Sequence, residues 1–182
     1  MKRRIARSML VMFVAVTLAS VLQELVPPVP PFSVKAPWLL AVCVYYAVRR
    51  EWVWSVTAAV WCGMMQDGLG GIPYGISLVV FCLIACLCVF FVKKQMPDNT
   101  VTCMIVSVAG GIIVESCQYV MLLMSGAYVA LPTVYLLGRL LIFIVLCLPV
   151  AAVVAGIVRL LDVVSGNVGF ENENKTFGWN AC

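Results

Sequence analysis

Four ionisable residues interrupt otherwise apolar stretches of this 182-residue chain: Glu24, Asp67, Glu115 and Arg139. An ionised side chain is costly in hydrocarbon, so each needs a partner or a wet cavity, and each is a candidate for function. Thr17, Ser20 and Glu24 fall on one helix face at spacings of three and four. Gly111, Glu115, Gln118 and Tyr119 do the same, as do Tyr135 and Arg139. Such polar stripes are expected to face the interior of a helix bundle. Glu115 and Arg139 lie on consecutive apolar segments joined by Ser125 to Pro132, at depths within an arginine's reach. The expected chemistry is an ion pair extended by Gln118 and Tyr119, with Glu24 as a further member of the intramembrane polar network. Locking two helices and a chemical role both stay open for that pair.

Catalysis finds no constellation. The chain has no histidine, no serine paired with a base and no glycine-rich phosphate loop at a helix start. Of its nine cysteines, eight lie in apolar segments, where the thiol behaves as a small apolar group, and Cys182 lies on the tail. Cys82, Cys86 and Cys88 have ligand-like spacing, but without histidine in an apolar segment no metal is expected. Neither an enzyme, a cofactor nor a nucleic-acid partner is expected.

The elements that must position these residues follow from composition. Apolar residues make up 64% of the chain and charged ones 11%, against roughly 25% charged in a soluble domain. No water-facing surface can be assembled from that inventory. With about 20 residues per transmembrane helix, the chain is expected to be an all-α integral membrane protein of six transmembrane helices. The apolar segments run about 8–26, 37–48, 52–66, 74–92, 100–125 and 133–161, with Pro149 expected to kink the last. Residues 1–165 form the helical domain, and 166–182 a polar, cytoplasmic tail expected to be disordered.

Orientation follows from the basic residues. With the N-terminus inside, Lys2, Arg3, Arg4, Arg7, Arg49, Arg50, Lys93, Lys94, Arg159 and Lys175 are cytoplasmic, leaving Lys35 outside and Arg139 within a span. Both termini are therefore expected in the cytoplasm. The first apolar stretch is expected to be a retained span, because it shows no clear small-residue cleavage site.

The segment from Gly63 to Gly75 is the clearest turn signal. Gly63, Asp67 and Gly71 recur at intervals of four, and Pro73 and Gly75 follow. Glycine permits positive φ and close helix approach, and Asp67 can cap exposed amides at a helix end. Together with a proline-containing outer loop, the Pro37-Trp38-Leu39-Leu40 start of the second segment and Tyr45-Tyr46-Ala47-Val48-Arg49-Arg50, this hairpin resembles the MreD family over residues 1–162. The polar tail departs from the family pattern.

The resemblance implies a non-enzymatic scaffold of the bacterial rod-shape, or elongation, machinery in the inner membrane, supporting peptidoglycan synthesis. Implied partners are an MreC-like single-span protein, MreB, and RodA with a class B penicillin-binding protein. All would meet the protein in or at the lipid bilayer, and a homo-oligomer stays open. It also implies a six-helix fold similar to the substrate-binding subunits of energy-coupling-factor transporters. The alternative function is accordingly a vitamin-type small-molecule binding subunit, with Glu24, Asp67, Glu115 and Arg139 around the ligand.

Overall fold

A computed structural model describes residues 2–30, 34–70, 75–92, 99–124 and 133–164. Gly71 and Pro73 of the hairpin motif, the 125–132 loop and the 166–182 tail lie outside these residues. Among the described residues six helices follow one another: α1 (Lys2–Leu25), α2 (Trp38–Arg49), α3 (Trp52–Gly70), α4 (Ile76–Leu87), α5 (Thr100–Met124) and α6 (Thr133–Val164). A π-helical turn, Cys88–Val92, continues α4. Among the described residues there is no strand, and one antiparallel bridge between Val29 and Val34 pinches the first loop.

Among the described residues, three helices are long and apolar enough to cross a membrane: Ala6–Leu25, Thr100–Val120 and Tyr135–Val164. Trp38–Arg49 and Ile76–Phe91 are apolar but shorter. The bundle is built around α2. Every residue from Leu39 to Val48 is buried, and α2 packs against each of the other five helices. A helix that is apolar all round belongs in an interior, and twelve residues reach only about 18 Å. The outer helices carry the opposite signature. Leu137, Leu141, Val145 and Leu148 form an exposed apolar stripe on α6, and Leu10, Phe13, Val14 and Leu18 do so on α1. Apolar faces of that extent suit lipid rather than water.

Two glycines permit close helix approach. A side chain at Gly63 would strike the Leu78 backbone, whose nitrogen lies 2.9 Å from the ideal Cβ position, so α3 and α4 meet there with nothing between them. At Gly111 a Cβ would collide with the Phe143 ring and lie 3.1 Å from the Cys147 sulfur, so α5 and α6 close together at that level.

The inward face of α1 departs from the expected one. Met12, Ala15, Val16, Ala19, Ser20 and Gln23 are buried, whereas Glu24 is exposed. The small apolar residues set the rotation of the helix, and that rotation turns Gln23 inward in place of Glu24. Burying an amide with partners costs far less than burying a carboxylate. The third helix also continues past Gln66 to Gly70, because glycine weakens a helix by only about 1 kcal/mol and does not forbid it. Asp67 therefore stands within the last turn of α3. Pro149 lies inside α6 on its exposed side.

Candidate functional site

Asp67 belongs to the α3–α4 hairpin, and its position in the last turn of α3 aims the side chain at the start of α4. Its Oδ2 accepts the Gly75 amide at 2.7 Å and its Oδ1 the Ser77 amide at 3.0 Å. The carboxylate is 2% exposed. One side chain thus satisfies two of the amides that a helix start leaves unpartnered, with its charge at the positive end of the α4 dipole. Gly75 makes the geometry possible: it precedes α4 at φ +107°, a conformation that L-residues rarely adopt. Gly63 lies one turn before Asp67 and lets the helices come close enough for the carboxylate to reach.

Glu115 and Arg139 face each other across the α5–α6 hairpin. The guanidinium Nε lies 3.1 Å from Glu115 Oε2, and Nη2 donates to Oε1 at 3.5 Å. The side chains are 15% and 29% exposed respectively. Gln118 and Tyr119 line the same groove of about 170 Å³, together with Ser116, Leu136, Leu137 and Leu140. Glu24 does not belong to it. Its carboxylate takes the Lys35 ammonium at 2.8 Å, at the end of α1, with both side chains nearly half exposed. Four of the five expected network residues are therefore at one place, and the fifth, Glu24, is in a separate surface pair with Lys35.

Two polar clusters escaped the reading of the sequence. At the end of the bundle where α1 finishes, Gln23 Nε2 donates to Gln66 Oε1 at 2.7 Å, and Gln23 Oε1 accepts the Leu39 amide at 3.4 Å in the first turn of α2. At the opposite end Arg50 Nη2 meets Asp162 Oδ1 at 2.7 Å, and Tyr45 donates to Asp162 Oδ2 at 3.5 Å. Arg49 lies over the Tyr45 ring, 5.4 Å from its centroid. Ser55 closes the α2–α3 junction: its hydroxyl lies 3.0 Å from both the Tyr46 and the Glu51 carbonyl oxygens, which share its single proton. Asp162 had a signal: an acid at a helix C-terminus is opposed by the dipole and calls for a cation. Arg49 and Arg50 were expected at that same end.

These arrangements hold helices and charge. Each carboxylate described above meets a cation or backbone amides, and the described cysteines are free thiols. Among the described residues, no three His, Cys, Asp or Glu side chains gather as a metal site.

Neither the curated proteins nor the solved structures searched gave a match. The family model for rod shape-determining protein MreD matches residues 2–157, from the start of α1 through most of α6. With the glycine and aspartate hairpin inside that stretch, the chain belongs to the MreD family of rod shape-determining membrane proteins.

Proposed function

We propose that the protein is a non-enzymatic scaffold within the bacterial inner membrane. It works there beside an MreC-like single-span protein, MreB, RodA and a class B penicillin-binding protein, so that peptidoglycan synthesis maintains a rod. The observation that carries this reading is the family match over residues 2–157. The internal use of polar groups agrees with it. Asp67, Glu115 and Asp162 are each engaged by neighbouring helices, and the lateral surface left over is apolar. A protein of this kind acts through the sides of its helices, where small residues permit close approach of other spans.

All six helices cross the membrane in this proposal, with both termini inside. Ser8, Tyr46, Arg50, Trp54 and Asp162 gather at one end of the bundle. At the other, Gln23 of α1 meets Gln66 of α3 and the start of α2. Successive helices thus alternate in direction, and the end rich in arginine is the cytoplasmic one. The short α2 completes its crossing with the chain on either side of it. Single cysteines in a cysteine-free background test this arrangement. An impermeant thiol reagent should label positions Ser33 and Ala127 and spare Gln95 and Asn172, and the reverse pattern overturns it.

Depletion tests the function. Rod-shaped cells should widen and round, and the tagged protein should bring down the MreC-like partner from native membranes. Recovery with a cytoplasmic ATPase pair and a bound vitamin, at unchanged cell shape, overturns the scaffold in favour of transport.

A further inference from the structure

We propose that the groove between α5 and α6 seats the headgroup of a zwitterionic phospholipid, its phosphate on Arg139 and its ammonium on Glu115. The groove has a floor. One helical turn deeper on each helix, Gly111 lies against Phe143, so that even a methyl group would collide there. From that contact the helices separate, leaving about 170 Å³ lined by Glu115, Gln118, Tyr119, Arg139, Leu136 and Leu140. At roughly 30 Å³ for each water, that space holds about six, a fair match to a phosphate with its short amino-alcohol arm. At the mouth Ser116 and Leu137 are exposed, so the groove opens sideways from the bundle, toward lipid.

Arg139 and Gln118 keep hydrogen-bonding capacity in the groove. A guanidinium carries five N–H donors, and Arg139 directs two of its three nitrogens, Nε and Nη2, at Glu115. Among the described residues the Gln118 amide makes no hydrogen bond, although it lines the cavity. Donors left over beside a cation suit a phosphate oxygen, and bidentate recognition of phosphate is what a guanidinium does best. Glu115 decides which phosphate. Its charge cancels that of Arg139, so a lone anion entering the groove meets repulsion as well as attraction. A ligand carrying both signs a few ångströms apart meets a partner at each end.

Depth agrees with this. Arg139 lies six residues into α6, about 9 Å from its start, and Glu115 nine residues before Met124, about 13 Å from the end of α5. The 32 residues of α6 extend about 48 Å, well beyond the roughly 30 Å of hydrocarbon. With that excess of about 18 Å shared between its two ends, its first turns stand among headgroups, and Arg139 lies near their lower boundary. This site is independent of the scaffold reading, and only the leaflet, the outer one, rests on the topology proposed above.

Native mass spectrometry of the full-length protein in detergent, with dioleoyl phosphatidylethanolamine and dioleoyl phosphatidylglycerol added in turn, reads the site directly. One phosphatidylethanolamine per chain should be retained at least tenfold more strongly than phosphatidylglycerol. Gln118→Leu, which removes the amide's hydrogen-bonding groups from the groove and leaves the ion pair, should weaken retention about tenfold, as should the Glu115→Gln, Arg139→Gln double variant. Should the double variant not fold, Gln118→Leu carries the test alone. Equal retention of the two lipids, or no loss in Gln118→Leu, overturns the proposal. Displacement of the lipid by millimolar glycerophosphoethanolamine or inorganic phosphate overturns it in favour of a soluble ligand. Unchanged lipid retention in Gln118→Leu, with loss of a copurifying membrane protein, overturns it in favour of a protein contact.

Discussion

The α3–α4 and α5–α6 hairpins each hold one carboxylate inside an apolar bundle, and they solve the same problem differently. Asp67 spends both oxygens on backbone amides at the start of the next helix and is 2% exposed. Glu115 spends its oxygens on a long side chain in an open groove, where its partner Arg139 is 29% exposed. Backbone amides cannot move without unwinding the helix that carries them, whereas an arginine can re-aim. The first hairpin is therefore a fixed joint, and the second keeps a polar surface available. Their close contacts follow suit: Gly63 abuts the backbone of Leu78, while Gly111 abuts the side chains of Phe143 and Cys147.

If that contrast is right, the largest loss comes from Asp67. Asp67→Ala strands the buried Ser77 amide and the part-buried Gly75 amide, and hydrogen bonds to a charged group are worth about 1.5–3 kcal/mol each. A total destabilisation of about 3–5 kcal/mol is expected, read as the unfolding midpoint of the detergent-purified protein by tryptophan fluorescence. Asp67→Asn keeps an acceptor and should recover part of it. An Asp67→Ala variant as stable as the parent would show that the hairpin is held by packing alone, and the distinction between the two hairpins would vanish.

The second effect is smaller and differs in kind. Removing one member of a fully buried ion pair costs about 3–5 kcal/mol, and removing both can be nearly neutral. The groove is partly open, so Glu115→Gln and Arg139→Gln should each cost about 1–3 kcal/mol. The double variant should recover most of that loss. Additive losses would mean that the two residues are stabilised by other groups, and the pair would then not be what joins α5 to α6.

The Arg50–Asp162 contact sharpens the comparison from the opposite end of the bundle. Its side chains are 17% and 11% exposed, intermediate between the two hairpins, and it ties α6 beyond residue 157 to the α2–α3 junction. Asp162→Asn should cost about 1–2 kcal/mol, with Arg50→Gln adding little on top of it. Limited proteolysis should cut nearer the end of α6 in Asp162→Asn than in the parent, and an unchanged cleavage pattern would mean that the tyrosine and the arginines hold this end without the acid.

The hairpins, the apolar segments and the Glu115–Arg139 juxtaposition were legible because they depend on local spacing and on two neighbouring helices. The positions of α2 and α6 were close to those expected for the same reason, since Pro37 and the run of apolar residues mark the elements directly. The inward face of α1 was not legible. Gln23 and Glu24 are both one turn from Ser20, and choosing between them requires knowing that Gln66 and the start of α2 stand on one side. Asp162 was lost because its partner is more than a hundred residues earlier in the chain. Long-range pairing of this kind leaves no periodicity in the sequence.

The smallest effect should be at Glu24 and Lys35, and it is a control for the other three. The pair is well formed at 2.8 Å, shorter than the closest Glu115–Arg139 distance of 3.1 Å, yet its side chains are 44% and 45% exposed. If distance governed the contribution of a charge pair here, Glu24→Gln would cost more than Glu115→Gln. Exposure argues the opposite, since solvent screens the attraction and holding two long side chains in place costs entropy, leaving about 0–1 kcal/mol. Lys35 lies just past Val34, whose carbonyl accepts the Val29 amide at 2.9 Å. That backbone bridge shapes the loop without help from the ion pair. Glu24→Gln should therefore shift the unfolding midpoint by no more than a degree or two, and 0.5 M salt should erase the shift. Val34 itself already packs against Phe143 and Cys147 of α6, so a loss as large as that of Glu115→Gln would show that the neighbouring pair is shielded from water too, and Glu24 would then rejoin the intramembrane polar groups.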